Sequence, residues 1–219
     1  VYKRQVLACD VRHFFDSTPH AVAKAAAAKR VHDSEAVRHN ARIIDSFGGE
    51  RGIGLGSQVS QLNQLAVLDT LDHRIKETHR IRHYLRYMDD LALIHSDRET
   101  LERVLADIRT QMAALGLELN SKTRIYPLRQ GVMWLQWRFV LTDRGKVVRK
   151  LNDKKVGQER RKLRKMRKRV EDGHMTMAQV RAHYRCWKAN AQRGNTRNLL
   201  MQMDRIYTCL LYTSPSPRD

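Results

Sequence analysis

Two adjacent carboxylates, Asp89 and Asp90, stand between two apolar runs near the middle of the chain. Leu85 precedes them and residues 91–94 follow, a pattern that predicts two buried strands joined by a tight turn. Burying ionised carboxylates without a partner is costly, and a bound cation is the usual remedy. Two Asp side chains at a hairpin tip, joined by a third from elsewhere, suit Mg²⁺ and two-metal chemistry on phosphates. A solvated turn is the plain alternative for an Asp-Asp pair.

The third carboxylate is predicted to be Asp10, which ends the short apolar run of residues 6–10. A buried strand here would deliver one acid at its C-terminal end, and Phe14 and Phe15 follow shortly after it. The alternative is an ordinary strand end with two core phenylalanines. The downstream Asp-Asp hairpin favours the catalytic interpretation.

These motifs together resemble reverse transcriptases. Residues 87–90, Tyr-Met-Asp-Asp, are similar to the Tyr-x-Asp-Asp signature, and residues 10–17 are similar to the first catalytic motif. The resemblance implies a two-Mg²⁺ site, with Mn²⁺ as a substitute, and a steric gate at Phe15 that excludes ribonucleotides. The implied catalytic residues are Asp10, Asp89 and Asp90, and the implied metal ligands are these three and the Val11 carbonyl.

A glycine-rich loop at residues 52–57 precedes a helical pattern, and such a loop can hold a nucleotide or template. It is similar to the family's second substrate-binding motif, Gln-Gly-x-x-x-Ser-Pro, with Leu55 in place of Gln and Gln61 in place of Pro. The Ser-Gln form is typical of reverse transcriptases from diversity-generating retroelements, where loss of the Gln accompanies misreading of template adenines. The implied nucleotide or template contacts here are Leu55, Gly56, Ser60 and Gln61; a plain loop is the alternative.

Two further segments fit the resemblance. Lys122 follows a predicted turn where the family places a lysine near the leaving pyrophosphate, although a turn lysine can be merely solvated. Residues 134–139 resemble the primer-grip hairpin, and Gln136 departs from its usual Gly; an aromatic core strand is compatible with the same residues. The predicted primer grip comprises Trp134, Leu135, Gln136 and Trp137.

A strongly basic run covers residues 144–169, with a narrow apolar stripe of Leu163, Met166 and Val170. It has few compensating acids, so contact with nucleic-acid phosphates is favoured over a solvated face. The predicted backbone contacts are Arg160, Arg161, Arg164, Lys165 and Lys168.

Local signals set the predicted helix ends. Thr18 before Pro19 predicts an N-cap, and residues 96–99 match a capping box. Gly116 is predicted to end the helix that follows, and residues 117–119 to form a short strand. Thr176 with Gln179 predicts another capped helix.

The formal net charge of +19 in 219 residues points to a polyanionic partner. No apolar run approaches the ~20 residues of a transmembrane helix, so no membrane is expected. Three scattered cysteines suggest neither a disulfide framework nor a zinc site, and so a reducing cytosol. A bacterial or phage-encoded cytoplasmic protein is the expectation.

The predicted fold is α+β, a palm of antiparallel strands with helices on one face, followed by a helical thumb. The palm with the primer-grip hairpin is expected at residues 6–142 and the thumb at 143–208. Residues 1–5 and 209–219 resemble translated sequencing adapters, so the chain is expected to be an internal fragment without the fingers subdomain that precedes the palm.

The predicted function is RNA-directed DNA polymerisation, with an RNA template, a DNA primer and dNTPs as partners. The retroelement type implies a template-repeat RNA and a small basic accessory protein. A group II intron or retron reverse transcriptase is one alternative, and a catalytically silent RNA-binding fragment is the other.

Overall fold

The computed structural model describes residues 4–212, which divide into two compact units at Leu128 and Arg129. The first unit is a four-stranded antiparallel sheet with helices, and the second is a three-stranded antiparallel sheet followed by helices. The predicted α+β class is therefore confirmed.

The first unit has five helices and a π-helical turn between its first two strands, and one helix between its last two. In chain order its elements are β1 (Gln5–Asp10), α1 (Phe14–Ser17), α2 (His20–Ala28), α3 (Ser34–Asp45), α4 (Gln58–Val67), α5 (Asp69–His73), a π-helical turn (Arg74–Thr78), β2 (His83–Tyr87), β3 (Asp90–His95), α6 (Arg98–Ala114) and β4 (Arg124–Pro127).

The sheet of the first unit has the strand order β2-β3-β1-β4, with every pairing antiparallel. The inner strands β1 and β3 are almost continuously apolar, as expected for strands covered on both faces. Leu7 and Leu93 are fully buried and pair directly. Helix α6 contributes a stripe at helical spacing to the same core, namely Leu101, Val104, Ile108 and Met112.

Several predicted helix ends need correction. The N-cap of α6 is Asp97 rather than Ser96, because its carboxylate accepts from the backbone N–H groups of Glu99 and Thr100. Thr18 does not cap α2: the helix begins after Pro19, and the buried Thr18 hydroxyl lies 2.6 Å from the Phe14 carbonyl oxygen. Gly116 follows α6 with φ of 67°, as predicted.

The predicted strand at residues 117–119 is reduced to one bridge between Leu119 and Val11. The Asn120 N–H donates to the carbonyl of Asp10 at the end of β1, and the Glu118 carbonyl accepts from the Arg12 N–H. The region is therefore held close to the sheet without joining it as a strand. The fourth strand is instead β4, which pairs with β1.

The second unit begins with a short 3₁₀ turn (Leu128–Gln130) at the division and then a meander of three strands. Its elements are β5 (Val132–Trp134), β6 (Trp137–Leu141), β7 (Val147–Leu151), α7 (Asp153–Glu171), α8 (Met177–Ala191) and α9 (Arg197–Tyr212). The predicted capping box of Thr176 and Gln179 is present at the start of α8. Leu163, Met166, Val180 and Tyr184 belong to the buried core of this unit.

The predicted boundary between palm and thumb, at residues 142 and 143, differs from the boundary between the two compact units, at Leu128 and Arg129. The primer-grip hairpin, which was predicted to end the palm at residue 142, lies in the second unit. The palm and thumb limits stay a prediction. Of the end segments predicted to be foreign, residues 1–3 and 213–219 lie outside the described residues, whereas Gln5 opens β1 and Cys209 lies in α9.

No helix in the described range 4–212 is both long enough and apolar enough to cross a membrane.

Candidate active site

The sheet of the first unit brings the predicted catalytic carboxylates to one end. Asp10 is the last residue of β1 and Asp90 is the first residue of β3. Because these strands are antiparallel neighbours, the two residues pair directly across the sheet. Asp89 lies in the turn between β2 and β3. The pair of residues that flanks this turn is Tyr87 at the end of β2 and Asp90 at the start of β3.

Backbone hydrogen bonds tie the turn to the end of β1. The Val11 N–H donates to the Asp89 carbonyl at 3.2 Å, and the Asn120 N–H donates to the Asp10 carbonyl at 2.7 Å. Met88 has φ of 53°, a left-handed conformation that costs a non-glycine residue of order 1–3 kcal/mol. The two-residue turn therefore holds Asp89 beside β1 in a conformation that the surrounding sheet imposes.

The carboxylates repel one another. Burial, and then the negative charge of Asp89, raise the pKa of Asp10, while the positive charge of Lys122 partly offsets this rise. Burial, and then the charges of Asp89 and Asp10, raise the pKa of Asp90. Carboxylates that are partly buried next to one another raise each other's pKa in this way.

We expect the stability of the metal-free chain to fall as pH rises through these raised pKa values. The folded state then binds more protons than the unfolded state, so the free energy of unfolding decreases with pH. Asp90→Asn should reduce this pH-dependent decrease in the free energy of unfolding. Urea unfolding in the presence of EDTA, between about pH 4 and pH 7, measures it. Asp45→Asn is the control, since it removes an exposed carboxylate of the same unit that pairs with Lys24 and lies apart from the other acids; equal changes in both variants would contradict the expectation.

The carboxylates are close but do not form a finished ligand cluster. Within the described part of the chain, no group of three or more His, Cys, Asp or Glu side chains is placed to hold a metal ion. The backbone register therefore brings the acids together, and their side chains do not converge on one point.

Two other predicted site residues lie near these acids. Lys122 is exposed in the turn before β4, and its charge acts on Asp10. Phe15 is half-buried in α1, five residues after Asp10, and its ring contacts that of Phe14 edge-on at 6.0 Å between centroids. Phe14 is buried in the core, and Phe15 packs partly against the same core while keeping some exposed surface.

The glycine loop presents three of its four predicted contact residues to solvent. Leu55 is 74% exposed in a turn with Gly56, whose φ is 92°, and Gln61 is exposed on the first turns of α4. Ser60 differs, because it is 1% exposed and its hydroxyl has no hydrogen-bond partner. In this arrangement the Ser60 side chain is not accessible to a ligand.

An ion pair that the sequence analysis missed anchors the Asp-Asp turn. The Arg86 guanidinium forms a two-pronged pair with Asp72, at 2.8 Å and 2.6 Å, and Tyr84 also donates to Asp72. Arg86 further donates to the Met88 carbonyl at 3.3 Å. The available signal was a charged residue at an inward-facing position of a strand, since β2 alternates between exposed and half-buried residues.

Arg86→Met is expected to lower the free energy of unfolding by about 3 kcal/mol, because it leaves the Asp72 charge without its main partner. Urea denaturation of both forms measures the change. Arg98→Met is the matched control, since its pair with Glu102 is exposed and worth about 0.5 kcal/mol or less. Equal losses in the two variants would show that Arg86 is not an anchor.

The predicted primer-grip residues form the β5–β6 hairpin of the second unit. Trp134 pairs with Trp137, and the two turn residues, Leu135 and Gln136, have φ of 45° and 75°. Two positive φ angles define a type I′ turn, which suits the twist of a hairpin and usually carries Asn-Gly. The departure at Gln136 is thus accommodated, and Leu135 is left 43% exposed at the tip.

The basic helix α7 has two opposite faces. Leu163 and Met166 are buried, and four of the five predicted phosphate contacts project from the other side at helical spacing and are exposed. These four, called here the basic face, are Arg161, Arg164, Lys165 and Lys168. Arg160 is half-buried on the flank, and its Nε is buried without a hydrogen-bond partner. The two acids within α7 that form ion pairs, Glu159 and Glu171, pair with His183 and Arg167 and not with the basic face.

Comparison with known proteins gives consistent results. Two solved structures from Candida tropicalis are similar to this chain: apo telomerase, with 15% identity and a TM-score of 0.51, and apo telomerase truncated from its C-terminal domain, with 16% identity and a TM-score of 0.51. They align with 68% and 67% of this chain, which spans 33% and 35% of theirs. At this identity the likeness concerns the fold.

No curated protein sequence gives a significant match. The family model described as reverse transcriptase (RNA-dependent DNA polymerase) matches residues 2–137, which is more than half of the 219 residues and includes all three carboxylates at the end of the sheet. The chain belongs to the reverse transcriptase family.

Proposed function

We propose that the protein containing this chain is an RNA-directed DNA polymerase that adds dNTPs to the 3′-hydroxyl of a DNA primer on an RNA template. One observation carries the proposal: in a chain of the reverse transcriptase family, the antiparallel register places Asp10 beside Asp89 and Asp90. Phosphoryl transfer depends mainly on positioning and on stabilising charge, and clustered carboxylates are suited to organise that charge.

The donor set fits hard divalent cations. Carboxylate and carbonyl oxygens are the ligands that Mg²⁺ prefers, and the raised pKa values of Asp10 and Asp90 indicate a place where added positive charge is favourable. Asp10, Asp89, Asp90 and the Val11 carbonyl would hold two Mg²⁺ ions, or Mn²⁺ in their place, after their side chains converge. When bound, the ions would activate the primer hydroxyl and neutralise the triphosphate.

Other residues of the chain would orient the substrates. Lys122, which already acts on Asp10, would donate to the departing pyrophosphate. Phe15 would pack on the sugar and exclude a 2′-hydroxyl. The Leu135 tip of the hairpin would support the primer end, and the basic face of α7 would contact the nucleic-acid backbone.

We place the enzyme with the error-prone polymerases of diversity-generating retroelements. Support comes from the Ser60-Gln61 form of the glycine loop and from Leu55, whose apolar side chain is exposed and cannot hydrogen-bond to a base. The system would include a template-repeat RNA and a small basic accessory protein.

Primer extension by the full-length gene product tests both levels of the proposal. With an RNA template, dNTPs and Mg²⁺, we expect a DNA product whose errors concentrate at template adenines. Extension with uniform errors would favour a group II intron or retron enzyme. A folded protein that binds RNA independently of Mg²⁺ and extends nothing would support the silent RNA-binding alternative.

A further inference from the structure

Two segments predicted to meet the incoming nucleotide are joined to each other by backbone hydrogen bonds. The Ile53 N–H donates to the Phe15 carbonyl at 2.8 Å, and the Gly52 N–H donates to the Thr18 carbonyl at 3.0 Å. These bonds fix the entrance of the glycine loop to the turn that carries Phe15.

The exit of the loop is fixed to the same turn by one side chain. Gln64 on α4 is fully buried, and its Nε2 donates to the Thr18 hydroxyl at 2.9 Å and to the Phe14 carbonyl at 3.3 Å. The Thr18 hydroxyl has one proton and two acceptors in range, the Phe14 carbonyl and Gln64 Oε1. This bond pattern connects α4 directly to the residue before Phe15.

Packing alone does not explain why the buried residue at position 64 carries an amide. An apolar side chain of similar volume would fill the same space without the cost of desolvating an amide. Hydrogen bonds add directional specificity, since they hold α4 at one position along the turn. The loop between the two attachments therefore cannot shift relative to Phe15 without breaking bonds at one end.

We propose that Gln64 is a positioning residue that sets the place of the Leu55–Ser57 loop relative to Phe15, and through it the sugar and base selectivity of the polymerase. This inference rests on the proposed polymerase function. Gln64 acts through Thr18 and Phe14 and has no exposed surface with which to touch a substrate.

Asn63 offers a matched control on the same helix. It is also buried, and its amide exchanges two hydrogen bonds, at 2.9 Å and 2.8 Å, with Asn40 on α3. It thus anchors α4 to α3 rather than to the Phe15 turn. Gln64→Leu and Asn63→Leu each remove a buried amide from α4, and they differ in the element that loses its attachment.

The experiment compares kcat/KM for a dNTP and for the corresponding rNTP in the full-length gene product. Gln64→Leu is expected to reduce this discrimination about tenfold and to raise misincorporation, while Asn63→Leu lowers the melting temperature and leaves the ratio unchanged. Thr18→Val should reproduce the loss, and the double variant should add little to it, because both residues act in one network. If Gln64→Leu does not fold, Thr18→Val tests the same hydrogen-bond network in its place.

The outcomes separate the two proposals. An unchanged ratio in both Gln64→Leu and Thr18→Val, or an equal change in Asn63→Leu, would overturn the positioning role while the polymerase stands. A wild-type protein that extends no primer would overturn the proposed function and this inference with it.

Discussion

Replacing Asp89 with asparagine is expected to lower the rate of primer extension by about 10³-fold or more, because metal-mediated charge stabilisation contributes several kcal/mol to such reactions. The substitution keeps the size of the side chain and removes one charge from the turn between β2 and β3. The Val11 to Asp89 bond uses the backbone, so it survives the change. The loss should therefore reflect chemistry rather than folding.

Nucleic-acid affinity should remain within about twofold of wild type in the same variant, since the phosphate-binding charge lies elsewhere on the chain. Asp45→Asn is the matched control, because it removes the same charge from an exposed carboxylate on α3. A thermal-shift titration with Mg²⁺ adds a readout without activity: the ion should raise the melting temperature of wild type more than that of Asp89→Asn.

Full extension by Asp89→Asn would refute the assignment of the carboxylates. Loss of extension together with loss of RNA binding would point to misfolding. In that case Asp10→Asn, whose side chain lies on an inner strand, would decide the question. Loss of extension with RNA binding retained in Asp10→Asn would locate the chemistry at the end of the sheet.

The gathering of Asp10, Asp89 and Asp90 at one end of the sheet was predictable because its determinants are local. An apolar run that ends in Asp10 and a two-residue turn before the apolar strand β3 each specify a strand end, and only antiparallel pairing of β1 and β3 was needed to join them. The prediction of two buried strands was wrong for β2, an edge strand on which Leu85 is 59% exposed. The Thr176 capping box was predictable for the same reason, since both of its hydrogen bonds lie within four residues.

The features that sequence reasoning missed depend on distant partners. Thr18 looked like a helix cap, but its hydroxyl interacts with Gln64, 46 residues away. Arg86 and Asp72 are unremarkable in the sequence and become an anchor only when β2 packs near α5. Strand β7 was hidden in a basic run, because its inward side chains are too few to produce a clear alternation.

The position of Asp97 shows how a local signal can still mislead by one residue. Ser96 and Asp97 both favour N-caps, and the sequence pattern with Glu99 matched the Ser. The structure selects Asp97 because its two carboxylate oxygens accept from the N–H groups of Glu99 and Thr100 at 3.2 Å and 2.9 Å. A negative charge at a helix N-terminus is further stabilised by the helix dipole.

Removing the basic face of α7 is expected to have the largest effect on binding. A variant with all four side chains changed to Gln should bind an RNA–DNA duplex about 10³-fold more weakly at 0.1 M salt. Each phosphate contact raises log K by roughly 0.9 when the salt concentration falls from about 1 M to about 0.1 M. Loss of four contacts therefore lowers the affinity at 0.1 M salt by about 10³-fold or slightly more. The slope of log K against log salt should fall by about three to four.

Fluorescence anisotropy across a salt series measures both quantities. The helix should stay folded in this variant, because Leu163 and Met166 pack on the opposite side and Gln has good helix propensity. The control removes four exposed cations from the first unit and matches the charge lost, using Arg80, Arg98, Arg103 and Arg109 changed to Gln. An equal fall in affinity and slope for the control would mean that net charge, rather than this helix, drives binding. A fall in affinity and slope only in the variant without the basic face would identify that face as the phosphate-binding surface. The two variants lose the same charge and differ only in where it is removed.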